Sequence, residues 1–230
     1  MINITNLTKT YGKARGVTGL TLHVPEGACF GFIGPNGAGK STTIRTLLGL
    51  LSPTSGSARV LGLDCVRDRQ KILAQVGYMP SEAMFYPDMR ASEVIRLSAN
   101  LRKRDCGAEA AALCDALELD TRKRVRELSL GNRKKVSIVC AMQHRPRLYI
   151  LDEPTSGLDP LVQRAFWSEL EHRRKEGATV FLSSHVLYEV ARYCDRAAIL
   201  REGRLIAEGT TGSLDLENKF FDYYEGRVRA

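Results

Sequence analysis

The chain has 230 residues, 43% of them apolar, with 8 prolines and a formal net charge of +8. That length and apolar share exclude a disordered or fibrous chain and suit one large domain, or a core with a small subdomain. No apolar run is long enough to cross a bilayer and no signal-peptide pattern opens the chain, so a cytoplasmic location is expected.

Residues 1–24 read as antiparallel strand material, because Ile2 and Ile4, then Leu20, Leu22 and Val24, alternate with polar residues. Tyr11 falls in the polar linker between these strands. An aromatic there either stacks on a nucleotide base or is a surface tyrosine. Glu26-Gly27 turns the chain into the apolar run 28–33, expected as a buried strand.

Gly34-Pro35-Asn36-Gly37-Ala38-Gly39-Lys40-Ser41 follows and fits G-x-x-x-x-G-K-[ST]. Gly34, Gly37 and Gly39 allow backbone turns that a Cβ would block. The N–H groups of the loop, Asn36 and Ala38 among them, then converge on phosphates, helped by the positive end of the next helix. Lys40 supplies a cation for the transferable phosphate, and the Ser41 hydroxyl is placed for Mg²⁺. Residues 42–48, beginning with Thr42, have helical character, with Ile44, Leu47 and Leu48 on one face.

Residues 52–57 are turn formers, 58–63 return as a strand, and 75–79 form another strand stopped by Pro80. The character then changes. Residues 92–104 and 108–119 read as amphipathic helices, with Ser92 and Asp105 as cap or linker residues. This makes a helical insertion, over about 82–140, between two strands of an α/β core.

Leu128-Ser129-Leu130-Gly131-Asn132 opens a helical run over 133–143. A serine and a glycine at a helix start make a second anion site, although a serine N-cap alone means only that a helix begins. Leu148-Tyr149-Ile150-Leu151-Asp152-Glu153 is an apolar strand ending in two carboxylates. Asp152 suits Mg²⁺, through water, and Glu153 suits a water that attacks phosphorus. Residues 154–160 continue as a loop, 163–176 as a charged helix, and 178–182 as a buried strand ending in Ser183-Ser184-His185. Strand ends of this fold meet the nucleotide, which favours His185 as a γ-phosphate contact. Residues 197–207 read as a hairpin around Glu202-Gly203, and 218–226 as a short helix carrying Phe220, Phe221, Tyr223 and Tyr224.

The charge surplus sits in clusters, Arg102-Lys103-Arg104, Arg122-Lys123-Arg124, Arg133-Lys134-Lys135 and Arg173-Arg174-Lys175. They lack interleaved aromatics, so solvated helix faces are expected, and no nucleic acid partner. The six cysteines, Cys29, Cys65, Cys106, Cys114, Cys140 and Cys194, form no C-x-x-C pair and read as small buried thiols.

Taken in order, the phosphate loop, LSLGN (residues 128–132), the acidic strand end, the SGLD loop (residues 156–159) and His185 resemble the nucleotide-binding subunit of an ABC transporter. The resemblance covers nearly the whole chain. It implies an α/β fold: a P-loop NTPase (RecA-like) core, an N-terminal antiparallel β subdomain and an inserted α-helical subdomain, all one ABC ATPase domain over 1–230. It implies Tyr11 as the adenine-stacking aromatic, and ATP and Mg²⁺ as ligands. It implies a head-to-tail pair of ATPase subunits, in which Ser129 and Gly131 of one complete the ATP site at Lys40 of the other. Glu153 and His185 would support hydrolysis, and an integral membrane permease would dock on the helical insertion, holding the chain at the inner face of the membrane. The family's LSGGQ reads LSLGN here. Its metal-contacting glutamine is Ser81, followed by Glu82; in an extended segment Ser81 takes the metal side and Glu82 faces the permease. Both departures resemble ATPases of type-2 exporters for drugs, antibiotics or lipids. The alternative is a non-transport ABC-type ATPase acting as a switch on nucleic acid or ribosome. The long coiled coils of the first group and the doubled ATPase unit of the second are both missing from this sequence.

Overall fold

A computed structural model describes residues 1–12 and 14–216. Two compact units arise, Met1–Gln75 with Thr179 onward, and Val76–Ala178. The first unit begins with β1 (Ile2–Tyr11), β2 (Ala14–Val24), β3 (Cys29–Ile33), α1 (Lys40–Leu47), β4 (Ser55–Val60), β5 (Leu63–Asp64) and α2 (Arg69–Gln75). The second holds β6 (Val76–Met79), α3 (Ala91–Leu101), α4 (Gly107–Ala116), a 3-10 turn (Val125–Glu127), α5 (Leu130–Met142), β7 (Leu148–Asp152) and α6 (Pro160–Lys175). The chain returns to the first unit for β8 (Thr179–Ser184), α7 (Leu187–Tyr193), β9 (Arg196–Arg201), β10 (Arg204–Thr210) and α8 (Thr211–Leu214). The helix expected over 218–226 lies outside the described residues.

In the first unit β1 and β2 pair antiparallel, with Ile2 opposite Val24 and Ile4 opposite Leu22. Ile2, Ile4, Leu20, Leu22 and Val24 are all buried, as period-two alternation requires. The alternation slips first at Asn6, one of three register shifts along the β1–β2 pair. Asn6 takes φ 47°, and the next inward residue is Leu7, because a bulge consumes one residue without pairing it. Sheet order is β2-β1-β4-β5. The single strand expected over 58–63 is instead the β4–β5 hairpin. Leu61 and Gly62 both have positive φ, 56° and 76°, as a tight two-residue hairpin turn needs. Tyr11 is likewise the last residue of β1, opposite Ala14, rather than part of a linker.

β3 lies between β8 and β9, parallel to both, and β10 runs antiparallel on β9. Phe30, Phe32 and Phe181 stack across the β3–β8 pair, with ring centroids 6.0 and 5.3 Å apart. β3 and β8 are buried at every residue, the pattern of parallel strands covered on both faces. Ile33 pairs with Ser184, so the loops after both strands leave the sheet at one edge.

In the second unit β6 and β7 run parallel, Met79 beside Leu151; Gln75 closes α2 instead of opening the strand. α6 starts at Pro160, earlier than expected. Asp159 caps it, accepting from the N–H groups of Leu161 and Val162 at 3.1 and 3.0 Å, and proline at the first helical position forfeits no bond. Ser92 falls inside α3 rather than at its cap; there the Arg90 N–H donates to Glu93 Oε2 at 2.6 Å. Asp105 does act at a helix start, accepting from the Gly107 N–H at 3.0 Å.

The basic clusters are not all solvated. Arg122 and Lys175 are exposed, but Lys134, Lys135 and Arg173 are buried. Arg173 pairs with Glu109, with Glu169 and Glu176 at 3.5 and 3.4 Å. Lys135 donates to the Glu118 carbonyl at 3.4 Å, just past the end of α4. α5 can bury so much charge because it packs on β6, α3 and α4 at once, and long basic side chains reach carbonyls from inside. Of the six cysteines, all free, five are buried and Cys140 is half-buried. Burial pushes the Cys140 thiol up to about 12 and Cys114 to about 11, which keeps both protonated and unreactive.

His144 carries a pH prediction. Burial pushes its imidazole down to about 4, and Arg102 and Arg104 act in the same direction. The unfolded chain binds that proton near pH 6.5. Protons therefore favour unfolding, and the stability present above pH 6.5 is lost as the pH falls towards 4, by up to about 1.4 kcal/mol per pH unit. Urea unfolding of the chain at pH 7 and pH 5 should show this loss, and His144→Gln should flatten it. A slope unchanged by that substitution would assign the loss elsewhere.

Candidate functional site

The phosphate loop bridges β3 and α1 in the first unit. Gly39 caps α1 at φ 105°, and Gly37 turns the loop at φ 81° with open space where a Cβ would stand. At Gly34 a Cβ would meet the Leu200 carbonyl oxygen at 2.4 Å, so β9 presses against the start of the loop. The Ala38 N–H closes a turn on Pro35 O at 3.1 Å, and the Gly203 N–H braces Ala38 O at 3.0 Å. Asn36 and Gly37 are exposed at the tip; Ser41 and Thr42 are half-buried in the first turn of α1. The Lys40 side chain is buried, and its ammonium donates to Gly34 O at 2.6 Å and Pro35 O at 3.3 Å. A cation held inside a cradle of glycines at a helix N-terminus suits a polyphosphate.

Tyr11 is tied to this loop through β2. It is 44% exposed, with the Lys9 ammonium 5.4 Å from its ring centroid. A Cβ at Gly16 would stand 3.2 Å from Tyr11 Cε2 and 2.2 Å from Lys9 O. The Gly16 carbonyl oxygen in turn limits Gly39 and Gly203, whose Cβ atoms would lie 2.9 and 2.5 Å from it. Gly16 thus packs the ring of Tyr11 and the phosphate loop around one backbone segment. Nothing in the sequence pattern singles out Gly16, and Gly203 stands out there only as part of a hairpin turn. His185 follows β8, exposed, and the pairing of Ile33 with Ser184 brings it to the edge from which Gly34 departs. Beyond it, the Val186 N–H donates to Ser184 Oγ at 2.9 Å, and that hydroxyl donates to Glu189 at 3.3 Å.

In the second unit Asp152 ends β7, buried, and Glu153 follows with φ 52°. A non-glycine residue in that region carries strain of about 1–3 kcal/mol, which concentrates at functional sites. Because β6 and β7 are parallel and in register, Ser81 and the acid pair leave the strands together. Ser81 and Glu82 lie in a bend, not in the extended segment expected, so adjacent side chains need not point to opposite sides. Lys134 enters the same cluster. Its ammonium donates to Ser81 O at 2.9 Å, and the charges of Glu153, Asp152 and Glu82 all act on it.

Ser129 caps α5, its hydroxyl accepting from the Asn132 N–H at 3.3 Å. Leu130 is 63% exposed. A Cβ on Gly131 would stand 3.0 Å from the Gly157 carbonyl oxygen, so the start of α5 rests on the loop over 156–159. Gly157 itself needs its φ of 79°.

Glycine cradle, buried lysine and paired carboxylates at parallel strand ends define a phosphate-loop nucleotide hydrolase of α/β fold. The family model described as ABC transporter matches residues 17–156. The chain is 37% identical over 212 residues to the bacitracin transport ATP-binding protein BcrA of Bacillus licheniformis, covering 90% of this chain and 69% of that protein. Among solved structures, an ATP binding subunit of an ABC transporter superposes with a TM-score of 0.88 at 31% identity, covering 98% of each chain. The ATP-binding cassette MJ0796, a dimer in a post-hydrolysis state bound to ADP and Pi, superposes with a TM-score of 0.83 at 25% identity, covering 92% of this chain and 99% of that one. The chain belongs to the ABC transporter family. It is an ATP-binding subunit of that family and an ATPase.

Proposed function

We propose that this chain powers a separately encoded membrane permease of exporter type, moving drugs, antibiotics, lipids or similar compounds. It works as a head-to-tail pair of ATPase subunits at the inner face of the membrane. The bacitracin-transport relative supports the class of cargo, and the dimeric ADP-bound cassette supports the pairing. Among the described residues no helix is long and apolar enough to cross a membrane. Residues 1–230 act as one ATPase domain, with the helical segment over about 82–140 facing the permease.

The residues divide the work as follows. Tyr11 stacks on the adenine. The N–H groups between Gly34 and Thr42 and the Lys40 ammonium hold the β- and γ-phosphates. Ser41 would hold Mg²⁺, and Asp152 would do so through water, with Ser81 near it; the donor set is all oxygen, as this hard ion requires. When bound, Mg²⁺ neutralises charge on the phosphoryl oxygens. Glu153 accepts a proton from the attacking water, and His185 steadies the γ-phosphate.

The observation that carries the pairing is the exposed start of α5, where Ser129 and Gly131 present a helix N-terminus backed by Gly157. Ser129→Arg should leave ATP binding intact and lower hydrolysis by about a hundredfold, the loss expected for one donor to developing charge. Ser129→Asp keeps the helix cap yet repels a phosphate, so it should fold like the parent and hydrolyse as poorly. ATP affinity and turnover, measured on both, decide the matter. Parent-like turnover in either would remove Ser129 from the site.

A further inference from the structure

α5 carries two successive buried lysines, Lys134 at 4% exposure and Lys135 at 8%. Lys135 has a structural task, donating to the Glu118 carbonyl just beyond α4. Lys134 points elsewhere. Its ammonium donates to the Ser81 carbonyl at 2.9 Å, in the bend that follows β6. Taking an ammonium out of water is costly unless it is paired and hydrogen-bonded. The compensation comes from three carboxylates, Glu153, Asp152 and Glu82, whose charges favour the ammonium. Asp152 and Glu153 close β7, and Ser81 follows β6, its parallel neighbour. One cation on α5 therefore addresses both strand ends.

We propose that Lys134 is a positioning residue for ATP hydrolysis, tying the Ser81–Glu82 bend and the acid pair Asp152–Glu153 to helix α5. This deepens the functional reading above and rests on it. Without Lys134, Glu153, Asp152 and Glu82 lose the charge of that cation, and the Ser81 carbonyl loses its donor. Like charges then spread apart, and Glu153 leaves the place from which it serves the water. Because Ser129 caps the same helix five residues earlier, a shift of α5 that meets one nucleotide is passed by Lys134 to the carboxylates serving the other.

The test compares Lys134→Met, Lys134→Arg and Lys135→Met in the full chain. In Lys134→Met, kcat should fall about ten- to a hundredfold, as expected when a reactive group is misplaced by an ångström. The KM for ATP should stay within about twofold, because this substitution leaves the phosphate loop intact. Amide exchange in β6, the paired strand that leads into the bend, should quicken about tenfold without nucleotide, the change that loss of one anchoring hydrogen bond brings. Lys134→Arg retains donor and charge and should restore both readouts. Lys135→Met should lower the unfolding midpoint while leaving kcat and exchange in β6 unchanged. The inference is overturned if Lys134→Met keeps parent kcat, if its β6 amides stay as protected as in the parent, or if exchange rises equally across α3 and α5, as loss of packing alone would cause. The exchange arm requires no ATP, so it can fail while Lys40 variants still behave as the site reading demands. Conversely, a Lys40→Ala chain with normal turnover would sink the site reading and leave the exchange result standing.

Discussion

Lys40→Ala should abolish measurable ATP turnover and weaken ATP binding. The Lys40 ammonium is buried inside the loop it serves, 2.6 Å from Gly34 O. That position fixes its charge where phosphates would sit, so little reorganisation is needed when charge develops on the transferred group. Removing one such donor costs roughly a hundred- to a thousandfold in kcat. A charge-assisted hydrogen bond contributes about 1.5–3 kcal/mol, so binding should weaken by about ten- to a hundredfold. Alanine also leaves Gly34 O and Pro35 O without this donor, and the loop should loosen. Lys40→Arg separates the two effects. It keeps a cation but cannot fold into the same cradle, so it should bind ATP better than the alanine variant and still fail to turn it over. Fluorescent-nucleotide titration and phosphate release, run on all three proteins, test this. A Lys40→Ala protein with near-parent turnover would mean that the loop does not hold the reacting phosphate.

The phosphate loop was legible because its chemistry is local. Glycines with forced φ, a lysine and a hydroxyl occupy fixed spacings, and the strand before them is a continuous apolar run. The acid pair was legible for the same reason, at the end of β7. What escaped depends on contacts distant in sequence or on too little pattern. α2 and α7 have seven residues each and bury only Ile72, and Glu189 with Val190, respectively, too few to show a period. The β4–β5 turn hid behind a leucine at positive φ. Gly16 matters because three other segments crowd it, which no local window reveals. Lys134 is the clearest case. In sequence it is the middle of three basic residues on a helix, and charge patterning assigns all three to water. Only packing on several faces of α5 separates the buried Lys134 and Lys135 from Arg133, and only the bend at Ser81 gives Lys134 its partner.

Glu153→Gln should produce a protein that binds ATP, fails to cleave it, and accumulates as an ATP-dependent dimer. Glutamine preserves the shape of Glu153 and leaves its backbone free to keep φ 52°, so the strained turn after β7 should survive. It cannot accept a proton from water. Loss of a general base lowers the rate by about a hundred- to ten-thousandfold, enough to make the ATP-bound state outlive a chromatographic run. The charge change is also felt by Lys134, which keeps Asp152 and Glu82 as neighbouring carboxylates, so burial of that lysine remains compensated. In the proposed head-to-tail pair, Ser129 and Gly131 at the start of α5 would meet the nucleotide of the opposite subunit. Light scattering after size exclusion should show a dimer with ATP and a monomer with ADP, since ADP lacks the phosphate that the α5 N-terminus would hold. The double variant Glu153→Gln, Ser129→Arg isolates that contact: it should retain ATP and stay monomeric. A Glu153→Gln protein that remains monomeric at saturating ATP would refute pairing through the nucleotide, and one that still hydrolyses ATP at the parent rate would move the proton acceptor to another residue.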